Sequence, residues 1–311
     1  MTRSYSNSEL QSYKNCPLQW RFQWDLALRS IDGESSEHHL RFGAAFHAGL
    51  EQLYRGNGLT AARDTFVAGY PTQLDVNDRA KTQANGVRTL VDYANRWREE
   101  DRRYRVIAIE TRSDDPWSVK PDLIVENIEQ GGVYLMDHKT TGSYLDYRYW
   151  GQFEPNSQVT HYLDYAQEKY GPIEGFIINA ISFRFLLKAS KNGPAGFWNN
   201  FERQTFNRRP AQLDYERVSR QLWIEDLERS VALGFYRTNT SSCYNCSFRS
   251  ICAPGWTWEE DRELILLNYR QVCNRLIEGG GANEWCVLDR EHEGGCSTTQ
   301  PTSDVEVFVE I

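Results

Sequence analysis

The sequence predicts an α/β protein, in which a β-sheet is flanked by helices, with a helical N-terminal region and a cysteine cluster in the C-terminal region. Three observations predict this class. Strand-like segments follow one another from residue 104 to residue 139. A helix and an apolar strand come next, and charge-rich helical sequence precedes them up to about residue 101. With 311 residues and 40% hydrophobic content, the chain has ample material for a core.

The N-terminal region is predicted to hold two short helices. The segment SNSELQSYKNCPLQWRFQWDLAL offers a helix-starting serine at Ser6 or Ser8, followed by apolar residues at roughly helical spacing. The pattern breaks at Cys16-Pro17, since proline cannot continue a helix that precedes it. This break exposes a cysteine between the two helices.

A longer amphipathic helix is predicted over LRFGAAFHAGLEQLY. Its apolar stripe includes Phe46 and Leu50, and the adjacent row holds Gly43, His47 and Glu51 at i, i+4 spacing. His47 therefore flanks the buried face of this helix. Helical, charge-rich sequence then continues to about Asp101.

Three consecutive strands are predicted after this helical region. They read YRVIAIET, WSVKPDLIVENI and VYLMDHK, with a turn at EQGG. The helix QVTHYLDYAQEKY and the strand GFIINAISFRFLL follow, and because this strand is apolar throughout we expect it to be central in the sheet. FERQTF is a candidate further strand. AQLDYERVSRQLWIEDLERSVAL is a long amphipathic helix, and a last helix is predicted around RELILLNYRQVCNRLI.

The composition restricts the class of function. A net charge of -8 argues against a protein that coats nucleic acid indiscriminately, because such binding depends on many phosphate contacts. A nucleic-acid partner would need a local basic groove. No stretch approaches the ~18 apolar residues of a membrane span, and MTRSYSNSEL lacks the apolar segment of a signal peptide. We therefore expect a soluble cytoplasmic protein without a membrane partner.

The strand VYLMDHK ends in charged residues on a face that begins apolar. A period of two places Val133, Leu135, Asp137 and Lys139 on one face, which changes from apolar to ionic within two residues. Taken alone, an Asp-x-Lys pair is more often a salt bridge at a strand end, because short motifs match by chance. The rest of the sequence must distinguish the two interpretations.

Asp122 supplies a second carboxylate, fifteen residues before Asp137. A strand-turn-strand of that length can bring the two carboxylates side by side on adjacent strands. Two carboxylates that converge with a lysine indicate a site for a hard cation, Mg²⁺ or Mn²⁺. Lys139 can then orient a nucleophile while the metal offsets charge on phosphate oxygens. This is the chemistry of phosphodiester hydrolysis.

These residues resemble a known family. Pro121-Asp122 followed by Asp137-His138-Lys139 resembles the signature of the PD-(D/E)xK nuclease superfamily. Gly43 to His47, in GAAFH, resembles the histidine motif of its RecB-like branch, and Gln158 with Tyr162 resembles the Q-x-x-x-Y motif of that branch. The four motifs occur in the family's order, over roughly residues 4 to 255.

The resemblance implies a fold and a set of roles. The fold is a restriction-endonuclease-like core, a mixed β-sheet flanked by helices. Asp122 and Asp137 would bind the catalytic divalent ions together with the backbone carbonyl of His138. His47 would supply another ligand or contact the scissile phosphate, and a structural histidine is the alternative. Gln158 and Tyr162 would brace the site or touch the DNA backbone.

Two neighbours of the first aspartate leave alternatives open. Many relatives have glycine three residues before this aspartate, whereas this chain has Val119, so the approach of the backbone to the metal is expected to differ. Lys120 is a candidate substrate contact or a surface residue. Glu110, at the end of the preceding strand, is a candidate support for the metal shell, and a solvated carboxylate explains it equally well.

Seven cysteines form a second constellation. Three of them lie close together in CYNCSFRSIC, which in a reducing compartment favours metal or cluster ligation over disulfides. Cys16 with Cys243, Cys246 and Cys252 resembles the iron-sulfur arrangement of AddB-type and CRISPR-associated RecB-like nucleases, which implies a four-iron four-sulfur cluster that joins the chain ends. Four cysteines also suit zinc, the alternative. Cys273, Cys286 and Cys296 fit no ligand spacing and are predicted to be ordinary thiols.

The resemblance divides the chain into five parts. They are an N-terminal clasp with the first cluster cysteine (1–30), a helical region with the histidine motif (31–103), the nuclease core (104–210), a helix with the iron-sulfur region (211–255) and a last helix with the tail (256–311).

Local positive charge in RWREEDRRYR and at Arg208-Arg209, with Trp97, Trp117 and Trp150 as stacking residues, could grip a single strand, although each is more often core or a solvated helix face.

The sequence thus predicts a divalent-metal-dependent DNA nuclease, most plausibly an exonuclease on single-stranded or end-resected DNA. The absence of G-x-x-x-x-G-K-[ST] means that unwinding would come from a helicase or recombination partner. One alternative is a structure-selective or CRISPR-type spacer-processing endonuclease. Another is a catalytically silent DNA-binding or assembly subunit, and a nuclease acting on RNA is a third.

Overall fold

The computed structural model describes residues 4–31, 34–110, 117–189, 195–244 and 246–272. In chain order, its helices are α1 (Asn7–Asn15), α2 (Pro17–Trp20), α3 (Glu34–Tyr54), α4 (Gly58–Gly69), α5 (Gln83–Asp101), α6 (Tyr147–Gly151), α7 (Ser157–Tyr170), α8 (Pro210–Leu233), α9 (Arg249–Cys252) and α10 (Arg262–Leu266). Its strands are β1 (Tyr5–Ser6), β2 (Leu28–Ser30), β3 (Tyr104–Ile109), β4 (Trp117–Ser118), β5 (Leu123–Asn127), β6 (Val133–Thr141), β7 (Ile173–Leu186), β8 (Gly196–Phe206) and β9 (Tyr269–Gln271). Cys273, Cys286 and Cys296 lie outside the described residues.

The chain divides into two compact units. The first comprises Met1–Asn7 and Glu34–Leu222 and is called the sheet unit here. The second comprises Ser8–Gly33 and Trp223–Ile311 and is called the cysteine unit. Among the described residues, no helix is long and apolar enough to cross a membrane.

The sheet unit is built on five strands in the order β3-β5-β6-β7-β8. β6 and β7 run parallel, and the other neighbours are antiparallel, so the sheet is mixed, as predicted. β7 lies between β6 and β8. Because both of its faces are covered, it carries the continuous apolar run that the sequence predicted for an interior strand.

Helices cover the two faces of this sheet. Ile178 and Ala180 of β7 pack with α6 and α7, in a cluster that includes Trp150 and Leu163. Ile181 and Phe183 point the other way, as the period of two requires, and pack with α3, α4 and α5 in a cluster completed by Phe42, Phe46, Phe66 and Leu90. The sheet unit therefore has a hydrophobic cluster on each side of the sheet.

The segment WSVKPDLIVENI, predicted as one strand, is divided in the structure. Trp117–Ser118 pairs in parallel with β1, whereas Leu123–Asn127 pairs with β3 and β6. The division falls at Pro121, which has no N–H to give to a neighbouring strand. As a result, Asp122 stands at the entrance to β5.

Apart from α1 and the end of α8, the described part of the cysteine unit contains elements of five residues or fewer. Cys16 has an extended backbone and Pro17 begins α2, so the predicted helix break is present. Apolar side chains of residues 22–28, 248–251 and 265–269 form one cluster. The prediction of a long last helix is wrong, because α10 ends at Leu266 and Tyr269–Gln271 pairs antiparallel with Leu28–Ser30. Burial of Tyr269 in the cluster favours the strand over a continued helix.

Candidate active site

The pairing of β5 with β6 brings the two aspartates together. Leu123 pairs with Met136, so the next position along each strand places Asp122 beside Asp137. A carboxylate oxygen of Asp122 accepts a hydrogen bond of 2.6 Å from the backbone N–H of His138. The two aspartates therefore lie side by side on adjacent strands, as expected from the length of the strand-turn-strand segment.

Asp137 and Lys139 share a face of β6, as the period of two predicts. The Lys139 Nζ lies 2.6 Å from Asp137 Oδ2, and Asp137 is buried. The same Nζ donates a hydrogen bond of 3.3 Å to Gln158 Oε1. Asn156 caps the start of α7 by accepting from the N–H of Val159, which places Gln158 in the first turn of that helix.

Tyr162 follows Gln158 by one turn of α7 and is buried. Its hydroxyl interacts with Gln158 and with the backbone at Lys120. Burial, followed by the charge of Asp137, raises the pKa of Tyr162. Both residues of the Q-x-x-x-Y motif therefore lie beside the Asp137-Lys139 pair.

His47 reaches the site from α3. Its Nδ1 lies 3.4 Å from Asp122 Oδ2. Gly43, one turn earlier, permits this approach, because a Cβ added there would lie only 3.3 Å from the Thr140 Oγ1 on β6. A larger side chain would therefore tend to separate α3 from the strand.

The charges of the four side chains are strongly coupled. Burial opposes the charged form of Asp122, but His47 and the His138 N–H hold its pKa well below the usual range. Burial and the Asp122 carboxylate raise the pKa of Asp137 even though Lys139 opposes this. Burial opposes the cations as well, yet the carboxylates raise the pKa values of His47 and Lys139. Two buried carboxyl groups, an imidazole and an ammonium therefore meet here.

Comparison with known proteins identifies the family. The sequence model described as the PD-(D/E)XK nuclease superfamily matches residues 4–253. The chain belongs to this superfamily. No curated protein matches the sequence significantly. Among solved structures, the crystal structure of a "Putative exonuclease" from Eubacterium rectale is similar, with a TM-score of 0.47 and 12% sequence identity, over 82% of this chain and 89% of that chain.

Membership of the PD-(D/E)XK superfamily makes the protein a nuclease, and therefore a hydrolase, with DNA as the implied substrate. Members typically use Mg²⁺ or Mn²⁺. The donor set here suits such a hard cation, since it offers the carboxylates of Asp122 and Asp137 and one imidazole. A divalent cation would also offset the repulsion between the two buried carboxylates, which is one cause of the raised pKa of Asp137.

The candidate ligands are not gathered around a single point. Among the described residues, the group of His, Cys, Asp and Glu whose ligand atoms all lie within 4.8 Å of one another is His38, His39 and Asp78. At the superfamily site each carboxylate is instead drawn to its own cation, Asp122 to His47 and Asp137 to Lys139. Metal ligation would require the carboxylates to turn away from these partners.

Glu110 supports the backbone next to the first aspartate. Its N–H donates a hydrogen bond of 2.8 Å to the carbonyl of Asp122, and its φ of 47° lies in the left-handed region, which is strained for a residue with a side chain. Its carboxylate forms an ion pair with Lys120, and burial raises its pKa. Lys120, considered as a substrate contact from the sequence, is thus occupied by Glu110.

The sequence did not reveal a polar network around the side chain of His138. The His138 Nδ1 lies 2.8 Å from Asn179 Nδ2, which in turn is 2.5 Å from the Tyr93 hydroxyl. Tyr54 stacks on the imidazole at 5.3 Å and contacts Tyr93 at 2.6 Å. Burial lowers the pKa of His138 to about 3, so this imidazole is neutral. The network holds the strand segment between Asp137 and Lys139.

Arg203 of β8 completes the network. It donates to Asp101 at 2.6 Å and to the Tyr54 hydroxyl at 3.0 Å. Its guanidinium also lies 3.9 Å from the centre of the Trp97 ring. An arginine on the covered face of a strand could have indicated this buried network from the sequence. It did not, because β8 was predicted only as a candidate strand.

The residues proposed from the sequence to grip substrate are placed differently. Trp97 and Trp150 are buried in the two clusters and cannot stack on bases, so that prediction is wrong. Arg208 donates to the Thr160 hydroxyl and the Phe153 carbonyl, which assigns it to packing of the chain against itself. Amphipathic periodicity does not distinguish a core tryptophan from an exposed one when both lie on helices.

The four predicted ligand cysteines line one cavity of 320 Å³ in the cysteine unit. The N–H of Asn239 lies 3.4 Å from Cys16 Sγ, in position to donate to it. Burial, followed by the charges of the other three, raises the pKa of Cys252 to about 11. Among the described residues, no three cysteine sulfurs lie within 4.8 Å of one another.

Proposed function

We propose that this protein is a divalent-metal-dependent DNA exonuclease of the RecB-like type, which acts on single-stranded or end-resected DNA. The observation that carries the proposal is the convergence of Asp122, Asp137 and Lys139 where β5 begins beside β6. Burying two carboxylates and an ammonium costs free energy, which a subunit with no catalytic role would have no reason to bear.

The roles of the side chains follow from their contacts. Asp122, Asp137, the backbone carbonyl of His138 and His47 are the proposed ligands of Mg²⁺ or Mn²⁺. When bound, such an ion activates water and polarises the phosphate. His47 also neutralises Asp122 while the site holds no substrate, since the two side chains lie 3.4 Å apart.

Lys139 is suited to stabilise charge and unsuited to accept a proton. The two carboxylates raise its pKa, so it is an ammonium at neutral pH. The ammonium has three N–H donors, and Asp137 and Gln158 engage two of them. The third can donate to the attacking water or to a phosphate oxygen. Gln158 and Tyr162 fix the direction of this ammonium from α7.

The proposed preference for a single strand rests on charge. With a net charge of -8, the chain can hold nucleic acid only in a confined basic groove, which suits threading one strand better than wrapping a duplex. Unwinding of a duplex would then come from a helicase or recombination partner. The proposed setting is DNA repair or recombination, in the cytoplasm.

The experiment uses protein purified without oxygen, with Mg²⁺ or Mn²⁺, on linear single strands labelled at either end and on a circular strand of the same composition. We expect degradation of the linear strands and an intact circle. Lys139→Ala should abolish the degradation. The matched control is Lys169→Ala, since Lys169 is an exposed lysine of α7 and should be dispensable.

Other outcomes would replace the proposal. Cutting of the circle would identify an endonuclease, of a structure-selective or spacer-processing kind. Strand binding without any cleavage by the wild-type protein would identify a catalytically silent subunit. A ribose strand of the same sequence, degraded faster than the deoxyribose strand, would identify a ribonuclease.

We also propose that Cys16, Cys243, Cys246 and Cys252 hold a four-iron four-sulfur cluster with a structural role. The shared cavity supports this ligand set. Four thiolates around one zinc at ~2.3 Å would all lie about 3.8 Å apart, whereas among the described residues no three cysteine sulfurs lie within 4.8 Å of one another. A larger inorganic core fits the wider spacing better.

The test of the cluster is analysis of iron, acid-labile sulfide and zinc in protein purified without oxygen, together with its visible absorbance. We expect iron and sulfide in equal amounts, lost in Cys252→Ser and kept in Cys286→Ser. Zinc without iron or sulfide would show that the four cysteines bind zinc and would overturn the proposal of a cluster.

A further inference from the structure

Two neighbouring cavities lie on the sheet unit where β6 and β7 end. One has a volume of 580 Å³ and is lined by residues 78–81, the end of β7 and His39. The other has a volume of 500 Å³ and is lined by the loop after β6 and the start of α6. Gly142 and Arg184 line both, so the two cavities adjoin. Each is in the size range of a small-ligand pocket of about 300–1,000 Å³.

The second cavity is next to the active site. Its wall includes Tyr149, whose ring is close enough to Lys139 and Asp137 for their charges to act on its hydroxyl. Gly142 follows Lys139 after two residues of the same strand. A chain that leaves the proposed scissile position along β6 would therefore enter these cavities.

The walls are positively charged. Their cations are Arg79, Arg148 and Arg184, whereas Lys81 is buried over the Phe42 ring and burial lowers its pKa. Among the described residues, no carboxylate forms an ion pair with the three arginines, although most other arginines of the sheet unit are paired, as Arg105 is with Glu126. This is a local basic surface on an acidic chain.

The carboxylates in the walls are already used by the backbone. Asp146 caps α6 by accepting from the N–H groups of Arg148 and Tyr149. Asp78 accepts from the N–H groups of Ala80 and Lys81, and its other oxygen contacts two histidines. Neither carboxylate cancels the charge of the arginines by direct pairing.

Aromatic rings alternate with these cations. The Arg184 guanidinium lies 3.3 Å from the centre of the Tyr144 ring. Tyr147 is 77% exposed beside Arg148, and Phe185 is 39% exposed beside Arg79. Exposed rings interleaved with cations are typical of surfaces that bind single-stranded nucleic acid, where bases stack and phosphates are neutralised.

The loop that presents Tyr144 is held in place by β7. Ser182 Oγ donates to the Ser143 carbonyl at 2.7 Å, and Arg184 Nη1 donates to the Gly142 carbonyl at 2.7 Å. The Arg184 Nε is buried and has no hydrogen-bond partner among the described residues. These two hydrogen bonds hold the loop against the end of β7.

We propose that Arg79, Tyr144, Tyr147, Arg148 and Arg184 form a strand groove that binds the single-stranded DNA substrate next to the scissile phosphate. The proposal rests on the proposed function, since it assigns the substrate grip of that same site. Single strands are favoured over duplex because stacking on Tyr147 and Phe185 requires unpaired bases.

The experiment measures binding of a labelled single strand and of a blunt duplex, in the Lys139→Ala background so that cleavage does not interfere. The variant is the double substitution Arg79→Ala with Arg148→Ala, because both side chains are exposed and outside the core. We expect about tenfold weaker binding of the single strand, and a salt dependence reduced by about 1.4 in the slope of log K against log salt, for two lost phosphate contacts.

A second variant and a matched control make the test specific. Tyr147→Ala should weaken single-strand binding about fivefold or more through lost stacking. Arg63→Ala with Arg88→Ala removes the same two charges from exposed positions of α4 and α5, and should leave binding unchanged. Circular dichroism checks the fold of each variant.

The groove and the proposed function can fail separately. Unchanged strand binding in both groove variants, an equal loss for the duplex, or an equal loss in the Arg63→Ala, Arg88→Ala control would overturn the groove. Hydrolysis of bis(p-nitrophenyl) phosphate by the wild-type protein with Mn²⁺ reports the metal site alone, because this ester is too small to span the groove. No hydrolysis of the ester or of any strand would overturn the proposed function.

Discussion

The carboxylate site and the cysteine site are built on different amounts of regular structure. The carboxylate site lies on a five-stranded sheet whose strand β7 has 14 residues and whose faces are both covered by helices. The cysteine site lies among helices of four and five residues and a pair of three-residue strands. Isolated helices shorter than ~12 residues are marginal in water, so the cysteine unit depends more on tertiary contacts and on whatever its thiols bind.

This difference suggests a division of roles. The scaffold of the carboxylate site should fold without its metal, and its charged residues should matter for activity. The cysteine site should contribute mainly to stability, because a ligand that binds only the folded state adds its binding free energy to folding. Substitutions in the two units test this division.

The largest expected effect is on activity, from Asp137→Asn. Loss of one carboxylate from the proposed metal site should lower kcat about 1,000-fold. The midpoint of thermal unfolding should change little, because relief of the crowding between the two buried carboxyl groups offsets the loss of the ion pair with Lys139. Asp64→Asn, at an exposed position of α4, should change neither. A large loss of stability in Asp137→Asn would contradict the division.

The corresponding change in the cysteine unit is Cys252→Ser. If the four cysteines bind a cluster with saturating affinity, its loss should lower the free energy of unfolding by about 4 kcal/mol, the value for a ligand at a thousand times its Kd. Anaerobic thermal unfolding measures this change, with Cys286→Ser as the control. An unfolding midpoint equal to that of the wild-type protein would show that the cysteine site adds no stability.

The network around His138 should matter for stability within the sheet unit. Arg203 is 6% exposed and pairs with Asp101, so Arg203→Ala should lower the free energy of unfolding by about 3 kcal/mol, because it leaves a partly buried carboxylate without its partner. Arg105→Ala, which removes an exposed ion pair with Glu126, should cost less than about 1 kcal/mol. Urea denaturation compares the two, and equal effects would argue against a structural role for the network.

The smallest expected effect concerns packing between helices of the sheet unit. A Cβ at Gly86 of α5 would lie 2.1 Å from the Cζ of Phe66, so Gly86→Ala should cost about 1–2 kcal/mol through overpacking. Gly151→Ala places its Cβ in open space at the end of α6 and should be neutral or slightly stabilising. A neutral result for Gly86→Ala would mean that α4 and α5 move apart easily.

Much of the candidate site follows from local periodicity. Alternation along β6 places Asp137 and Lys139 on one face, and helical spacing places Gln158 and Tyr162 on one side of α7. Such patterns are readable because backbone geometry alone fixes which side chains share a face. The mixed sheet, by contrast, was implied by the resemblance to the nuclease superfamily and not by periodicity.

Other features could not be read in this way. Residues 269–271 were predicted to be helical but form β9, because Gln271 pairs with Leu28, more than two hundred residues away in the sequence. Trp97 and Trp150 are core residues and not stacking platforms, since the faces that cover them belong to distant strands. Contacts between remote segments leave no periodic trace in the sequence.

The sequence by itself therefore predicted that two carboxylates and a lysine converge, and it singled out the four cysteines that line one cavity. Only the tertiary structure decided that Arg203, Asn179 and two tyrosines surround His138, and that three arginines lie near exposed rings beyond the end of β6. The physical reason is the range of the interaction. Residue spacing along one strand or helix is set by local backbone geometry, whereas these assemblies exist only after distant elements have packed together.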